Sequence, residues 1–114
     1  METNTQPLWA VTPEKIAEAV RRIVELAHPV RVIVFGSQAR GDAGRDSDLD
    51  LVVIERDVSD RFAEMVRLRK AMRGLILPVD ILVIGESDFD EWAKEPGSVY
   101  RTARREGKVV YEAA

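Results

Sequence analysis

The stretch FGSQARGDAGRDSDLDLVVI, residues 35–54, leaves one apolar run, crosses a polar loop and enters a second apolar run. Asp46, Asp48 and Asp50 occupy alternate positions immediately before that second run. Side chains in a strand alternate faces, so Asp48 and Asp50 share one face while Leu49, Leu51 and Val53 take the other. The acid face turns apolar at Val52 and Ile54, so both carboxylates stand at the start of a strand whose remainder must be buried. Asp80 is in the same situation, second in the run VDILVI of residues 79–84. If the two strands are neighbours, three acids converge at one edge of the core. Two carboxylates about 5 Å apart at an effective dielectric near 20 repel by roughly 3 kcal/mol. A hard divalent cation held through oxygen, Mg²⁺ or Mn²⁺, reverses the sign of that interaction.

Two simpler readings compete for these acids. An isolated D-x-D is more often a solvated turn or helix cap than a metal site. The order Asp46, Asp48, Asp50 also opens like a calcium loop, but that loop requires glycine sixth and glutamate twelfth, where this chain has Leu51 and Asp57. Directly upstream, Gly36-Ser37 closes the apolar strand VRVIVF, residues 30–35, and opens a short helical turn. Glycine lets backbone N–H groups approach a ligand closely, and a helix start favours phosphate. The glycine spacing of GSQARG meets half of a P-loop, yet Asp42-Ala43 stand where Lys-Ser/Thr is required, which argues against a P-loop ATPase.

Away from this centre the chain alternates helices and short strands. Thr12 caps a helix with Pro13 first and Ile16, Val20, Ile23 and Ala27 along one face, ended by His28-Pro29. The strand Asp48–Ile54 leads into a helix over Ser59–Gly74 with Phe62, Met65, Met72 and Leu75 inward and Arg61, Arg67, Arg69, Lys70 and Arg73 outward. Pro78 introduces the strand Val79–Ile84. Helical stretches over Ser87–Ala93 and Ser98–Glu106, with Gly107 as a stop, precede a last strand, KVVYE. This is an α+β (α/β layered) pattern, with residues 1–11 as a loose arm and 12–114 as one domain.

Composition narrows the chemistry. The 114 residues, 46% of them apolar, suit one core. There is no cysteine and a single histidine, His28, which excludes disulfides, thiolate zinc sites and a cysteine nucleophile. No apolar run of about 18 residues and no basic-then-apolar leader is present, so the reading is cytoplasmic without a membrane partner. A net charge of -3 does not suit a protein that grips nucleic acid unaided. Trp9 and Trp92 read as packing anchors.

Taken together, Phe35-Gly36-Ser37, Asp48-Leu49-Asp50-Leu51 and Asp80 resemble the nucleotidyltransferase fold of the DNA polymerase β superfamily, a mixed sheet flanked by helices. GSQARG followed by SDLDLVV is similar to the minimal nucleotidyltransferases of bacteria and archaea. The resemblance implies that Gly36 and Ser37, with Arg40 of the same pattern and Arg45 as a weaker candidate, hold the triphosphate of ATP or another nucleotide. It implies that Asp48, Asp50 and Asp80 ligate two Mg²⁺ ions, Mn²⁺ being an alternative, and that Asp80 serves the attacking hydroxyl. Larger members carry a further domain for the acceptor, for which this sequence has no spare residues; the acceptor site would come from a homo-oligomer or another protein. The minimal members pair with HEPN proteins as toxin–antitoxin systems, which implies AMP transfer to a tyrosine of a HEPN toxin. The alternative within the same family is a non-catalytic antitoxin that masks its partner. The basic helix 59–74 and the segment YRTARREGK, residues 100–108, offer surfaces for a protein or, less well, an RNA, though each charge alone reads as a solvated side chain.

Overall fold

The computed structural model describes residues 7–41, 43–44 and 47–114. The arm up to residue 6 and the loop residues Arg45 and Asp46 lie outside them. Among the described residues, five helices and four strands follow in the order α1 (Pro13–Ala27), β1 (Arg31–Phe35), α2 (Ser37–Arg40), β2 (Leu49–Glu55), α3 (Arg61–Ala71), β3 (Val79–Gly85), α4 (Glu86–Trp92), α5 (Val99–Glu106) and β4 (Lys108–Glu112).

The helix limits follow local chemistry. Thr12 Oγ1 accepts from the Lys15 N–H at 3.2 Å and Pro13 takes the first helical position of α1. The helix closes where His28, at φ 47°, adopts a left-handed cap ahead of Pro29. Asp60 and Ser98 cap α3 and α5 in the same way, each accepting at 3.0 Å from the N–H three residues on.

The sheet runs β3-β2-β1-β4. β2 and β3 are parallel, while β1 is antiparallel to both β2 and β4. The alternation read from the sequence divides the core in two. Leu49, Leu51 and Val53 face α1 and α3, packing with Val20, Ile23, Leu68 and Met72. Val52 and Ile54 face α4 and α5, packing with Ile84, Phe89, Tyr100 and Ala103. The protein is therefore a mixed sheet between two helical layers, α+β in class. β2 is covered on both faces, which accounts for its unbroken apolar run.

The reading of the helix after β2 is corrected. The helix after β2 runs only from Arg61 to Ala71, because Asp60 caps it and Gly74, at φ 85°, belongs to the turn beyond. Phe62 is 75% exposed rather than inward. The buried line of α3 is Leu68 and Met72, and at 3.6 residues per turn Phe62 falls roughly 100° away from it, on the flank it shares with Val66 and Arg69. Trp9 and Trp92, read as packing anchors, are each about half exposed. Residues 7–11 are held to the body: Ala10 is buried, and Lys15 Nζ donates to the carbonyls of Leu8 and Ile76. Among the described residues, no helix is long and apolar enough to cross a membrane.

Candidate active site

The start of β2 is enclosed by β3 on one side and the end of β1 on the other. In the parallel β2–β3 register Asp50 is paired with Asp80, and in the antiparallel β1–β2 register it is paired with Phe35. The residue after Phe35 is Gly36, so the Gly-Ser turn and the acid pair meet at one end of the sheet. The contact is close enough that a Cβ built on Gly36 would lie 2.5 Å from Asp50 Oδ2. Gly36 also has φ 73° and ψ -154°, a conformation that side-chain-bearing residues rarely adopt. The backbone conformation calls for glycine, and any side chain there would have to displace the Asp50 carboxylate.

From Gly36 the backbone turns into α2. The N–H groups of Ala39 and Arg40 both donate to the Gly36 carbonyl at 3.1 Å, and Gly41 N–H donates to the Ser37 carbonyl at 3.0 Å. The N–H groups of Ser37 and Gln38 lead the turn and have no acceptor behind them within it. They follow Gly36, which approaches Asp50, and the Arg40 charge of the same turn acts on the Asp50 carboxyl.

The electrostatics are those of acids held together. Burial pushes the Asp50 carboxyl above its ordinary range, the negative charges of Asp80 and Asp48 push it further, and Arg40 opposes them. Asp50 is half-buried, whereas Asp48 is exposed and stands one residue before β2, outside the strand in which the sequence placed it. Asp80 is more open, with 62% of its side chain exposed, and its Oδ1 lies 3.8 Å from the Arg69 guanidinium of α3. At that separation and exposure the ion pair contributes under about 1 kcal/mol. Arg69 was legible only as one cation of a solvated helix face. The β2-α3-β3 connection is what carries it to the acid site.

The donor set fits a hard divalent cation: three carboxylates, no sulfur or imidazole, and a central acid whose repulsion a cation relieves. Among the described residues, no three acidic or histidine side chains are already closed around one centre, and Asp80 leans toward Arg69 instead. Asp48, Asp50, Asp80, Gly36 and Arg40 are nevertheless brought to one end of the sheet, with Ser37 beginning α2 there. Arg45 and Asp46 lie outside the described residues.

The chain belongs to the nucleotidyltransferase domain family, whose family model matches residues 13–112, and it is a nucleotidyltransferase. None of the functionally curated proteins compared with the chain matches it. Among solved structures it is similar to a protein of Sulfolobus solfataricus assigned as a nucleotidyltransferase, with TM-score 0.62 and 22% identity over 87% of this chain and 78% of that one. It is also similar to a toxin–antitoxin structure with AMP-PNP, with TM-score 0.60 and 22% identity over 90% of this chain and 75% of that one. A third is a variant of the toxin–antitoxin MntA-HpeT carrying two aspartate-to-glutamate changes two positions apart, with TM-score 0.59 and 20% identity over 90% and 75%.

Proposed function

We propose that this protein is an antitoxin that transfers the AMP of ATP to a hydroxyl of its toxin, a tyrosine of a HEPN-type protein, using divalent cations held by Asp48, Asp50 and Asp80. The observation that carries the reading is the direct pairing of Asp50 with Asp80 beside Gly36. An arrangement that raises the free energy of the unliganded protein is accounted for by a ligand that reverses it.

Each residue then has a physical task. Gly36 supplies the backbone approach, and the leading N–H groups of α2 with Arg40 hold the anionic triphosphate near the acids. Asp50, between Asp48 and Asp80, is the shared ligand. Asp80, at the open edge, orients the acceptor hydroxyl and receives its proton. When bound, Mg²⁺ lowers the acceptor hydroxyl's pKa and neutralises charge developing on the departing pyrophosphate. The O–P bond to the acceptor forms as the bond from the α-phosphorus to the bridging oxygen breaks.

The neighbour solved with AMP-PNP supports an adenine nucleotide, and the toxin–antitoxin neighbours support a protein partner. The aspartates changed in one of them have the same two-residue spacing as Asp48 and Asp50. The test is incubation of the chain with α-labelled ATP, Mg²⁺ and the protein encoded by the adjoining gene. Label should enter that protein and disappear with Asp48→Asn or Asp50→Asn. Inhibition of the partner without label would establish masking in place of chemistry, and label on RNA would place the acceptor among nucleic acids.

A further inference from the structure

Nucleotide and acceptor must approach the acids from opposite sides. Along one end of the sheet stand, in order, Gly36 after β1, Asp50 on β2 and Asp80 on β3. In phosphoryl transfer the attacking and leaving oxygens lie roughly in line. With the triphosphate on the Gly36 turn, the attacking hydroxyl arrives from the β3 side. A hydroxyl on an amino-acid side chain brings the backbone of its own protein with it. A specific interface covers about 800 Å² of each partner, a disc roughly 16 Å in radius. The acceptor protein therefore covers the surface beyond Asp80 as well as Asp80 itself.

That surface is the outer flank of α3. It begins at Arg69, 3.8 Å from Asp80 Oδ1, and continues through Val66 and Phe62, one and two turns toward the helix start. Phe62 lies about 10 Å from Arg69 along the axis, within such a disc. Phe62 is 75% exposed and Val66 37%. Ile76, four residues before Asp80 in the connection from α3, is 55% exposed. Three large apolar side chains thus stand in water around one arginine.

The edge of β3 itself is partly closed. Among the described residues no strand lies outside it, yet its Val83 carbonyl accepts from Arg61 Nε at 2.9 Å. The same guanidinium donates to the Tyr100 hydroxyl at 2.6 Å. A partner accordingly docks through side chains on α3 and not as an added strand. The helix is also less basic than its composition, because Arg61 is spent on β3 and α5 and Arg67 donates to both oxygens of Glu64 at 2.7 and 2.8 Å. Aliphatic Val66 and Ile76 give a base no stacking face, and a chain of net charge -3 has no excess of cations for a phosphate backbone. Aromatic side chains and arginine, by contrast, are the types that anchor protein interfaces.

We infer that the outer flank of α3, Phe62, Val66 and Arg69 with Ile76 beside Asp80, is the docking surface for the acceptor protein, which meets it with an apolar patch bordered by carboxylates. This rests on the reading of the chain as an enzyme that modifies a protein hydroxyl. Arg69 is held to Asp80 only by a long, exposed contact, so its guanidinium is free to turn to a carboxylate of the partner.

The test is isothermal titration of the full chain against the protein encoded by the adjoining gene, without nucleotide, followed by transfer assays with α-labelled ATP. The native chain should bind. Phe62→Ser and Arg69→Glu should each weaken binding by roughly tenfold or more. Phe62→Ser should raise the KM for the partner by a similar factor and keep kcat at saturating partner. Thermal melts check that it is folded. Val109→Ser, on the opposite edge of the sheet, should bind as the native chain does, and Asp48→Asn should bind but transfer no label. A native chain that does not bind this protein overturns the inference, as does label found on RNA or an affinity that both flank variants leave unchanged. Binding that both variants weaken, in a native chain that transfers no label, upholds the surface and removes only the chemistry.

Discussion

Asp50 and Asp80 stand opposite each other on adjacent parallel strands, thirty residues apart in sequence and neighbours across the ladder. Placing like charges there destabilises the unliganded fold. Replacing Asp50 by Asn should therefore raise the melting temperature in the absence of metal, by about 2–6 °C for a gain near 1 kcal/mol. The sign follows from linkage. The folded-state pKa of Asp50 is raised, so its contribution is complete at low pH and is lost as pH rises through the folded value. The advantage of the variant should vanish in acid and be full at neutral pH. Mg²⁺ with nucleotide should stabilise the native protein only, as read by thermal melts.

Gly36 and Gly41 make unequal demands for glycine: Gly36 has ψ -154°, in a region almost reserved for glycine, and Gly41 has ψ 10°, in the ordinary left-handed region. Both have positive φ, 73° and 82°, but a Cβ at Gly41 meets nothing within 4 Å. Gly41→Ala should cost about 1 kcal/mol, whereas Gly36→Ala adds the clash with Asp50 and should cost about 2–3 kcal/mol. Only Gly36→Ala should also abolish nucleotide-dependent stabilisation. Equal losses in urea melts would overturn the stricter demand for glycine at position 36.

At the other end of β2, Glu55 Oε2 is buried without a hydrogen-bond partner, close to Glu64, whose two oxygens accept from Arg67 Nε at 2.7 Å and Nη2 at 2.8 Å. Burial, then the neighbouring Glu64 carboxylate, pushes the Glu55 carboxyl up to about 8, while Arg67 holds Glu64 below its ordinary value. One proton is therefore retained at neutral pH, on Glu55. Its stabilisation is complete below about 4.5 and is lost as pH rises through about 8. At pH 9 the Glu55→Gln variant should melt about 3–6 °C above the native protein, and near pH 5 the two should coincide. A difference independent of pH would rule out a proton held on Glu55 at neutral pH.

Phe62 and Leu68 test the phase of α3. With 75% exposure, Phe62→Ser should change stability by no more than about 0.5 kcal/mol. Fully buried Leu68 packs between α3 and the sheet, and Leu68→Ala should cost about 2–5 kcal/mol. Denaturant midpoints of the two variants measure this directly.

Gly107 has φ -75°, so its backbone suits any residue, yet a Cβ there would lie 2.3 Å from the Ala103 carbonyl oxygen and 2.5 Å from Ile33 Cγ2. Gly107→Ala should destabilise by about 2 kcal/mol or more through overpacking, without altering nucleotide affinity in whatever fraction remains folded. Calorimetry alongside nucleotide titration distinguishes this from damage to the site.

Local patterns carried most of the element order. The cap at Thr12, the breakers His28-Pro29 and Pro78, and the alternation of Leu49, Leu51 and Val53 against Val52 and Ile54 act over a few residues and are legible in the chain. The acid pair and the Gly-Ser turn were legible for the same reason: each is a short motif whose chemistry is unusual beside an apolar run. Gly107 marks the helix end as its type suggests, but its physical role is close approach to β1, which no local signal contains. Phe62 was misplaced because apolar character alone does not set the phase of a helix; the cap at Asp60 and the position of the sheet do.

The residue order alone therefore settled which segments are helix or strand, and that Asp50 and Asp80 each open a buried strand. Strand adjacency, the folding of Gly36 over Asp50 and the reach of Arg69 to Asp80 were decided by tertiary packing. The reason is range: caps and alternation are properties of neighbouring residues, whereas contact between residues 36, 50, 69 and 80 exists only once the β2-α3-β3 unit has docked beside β1.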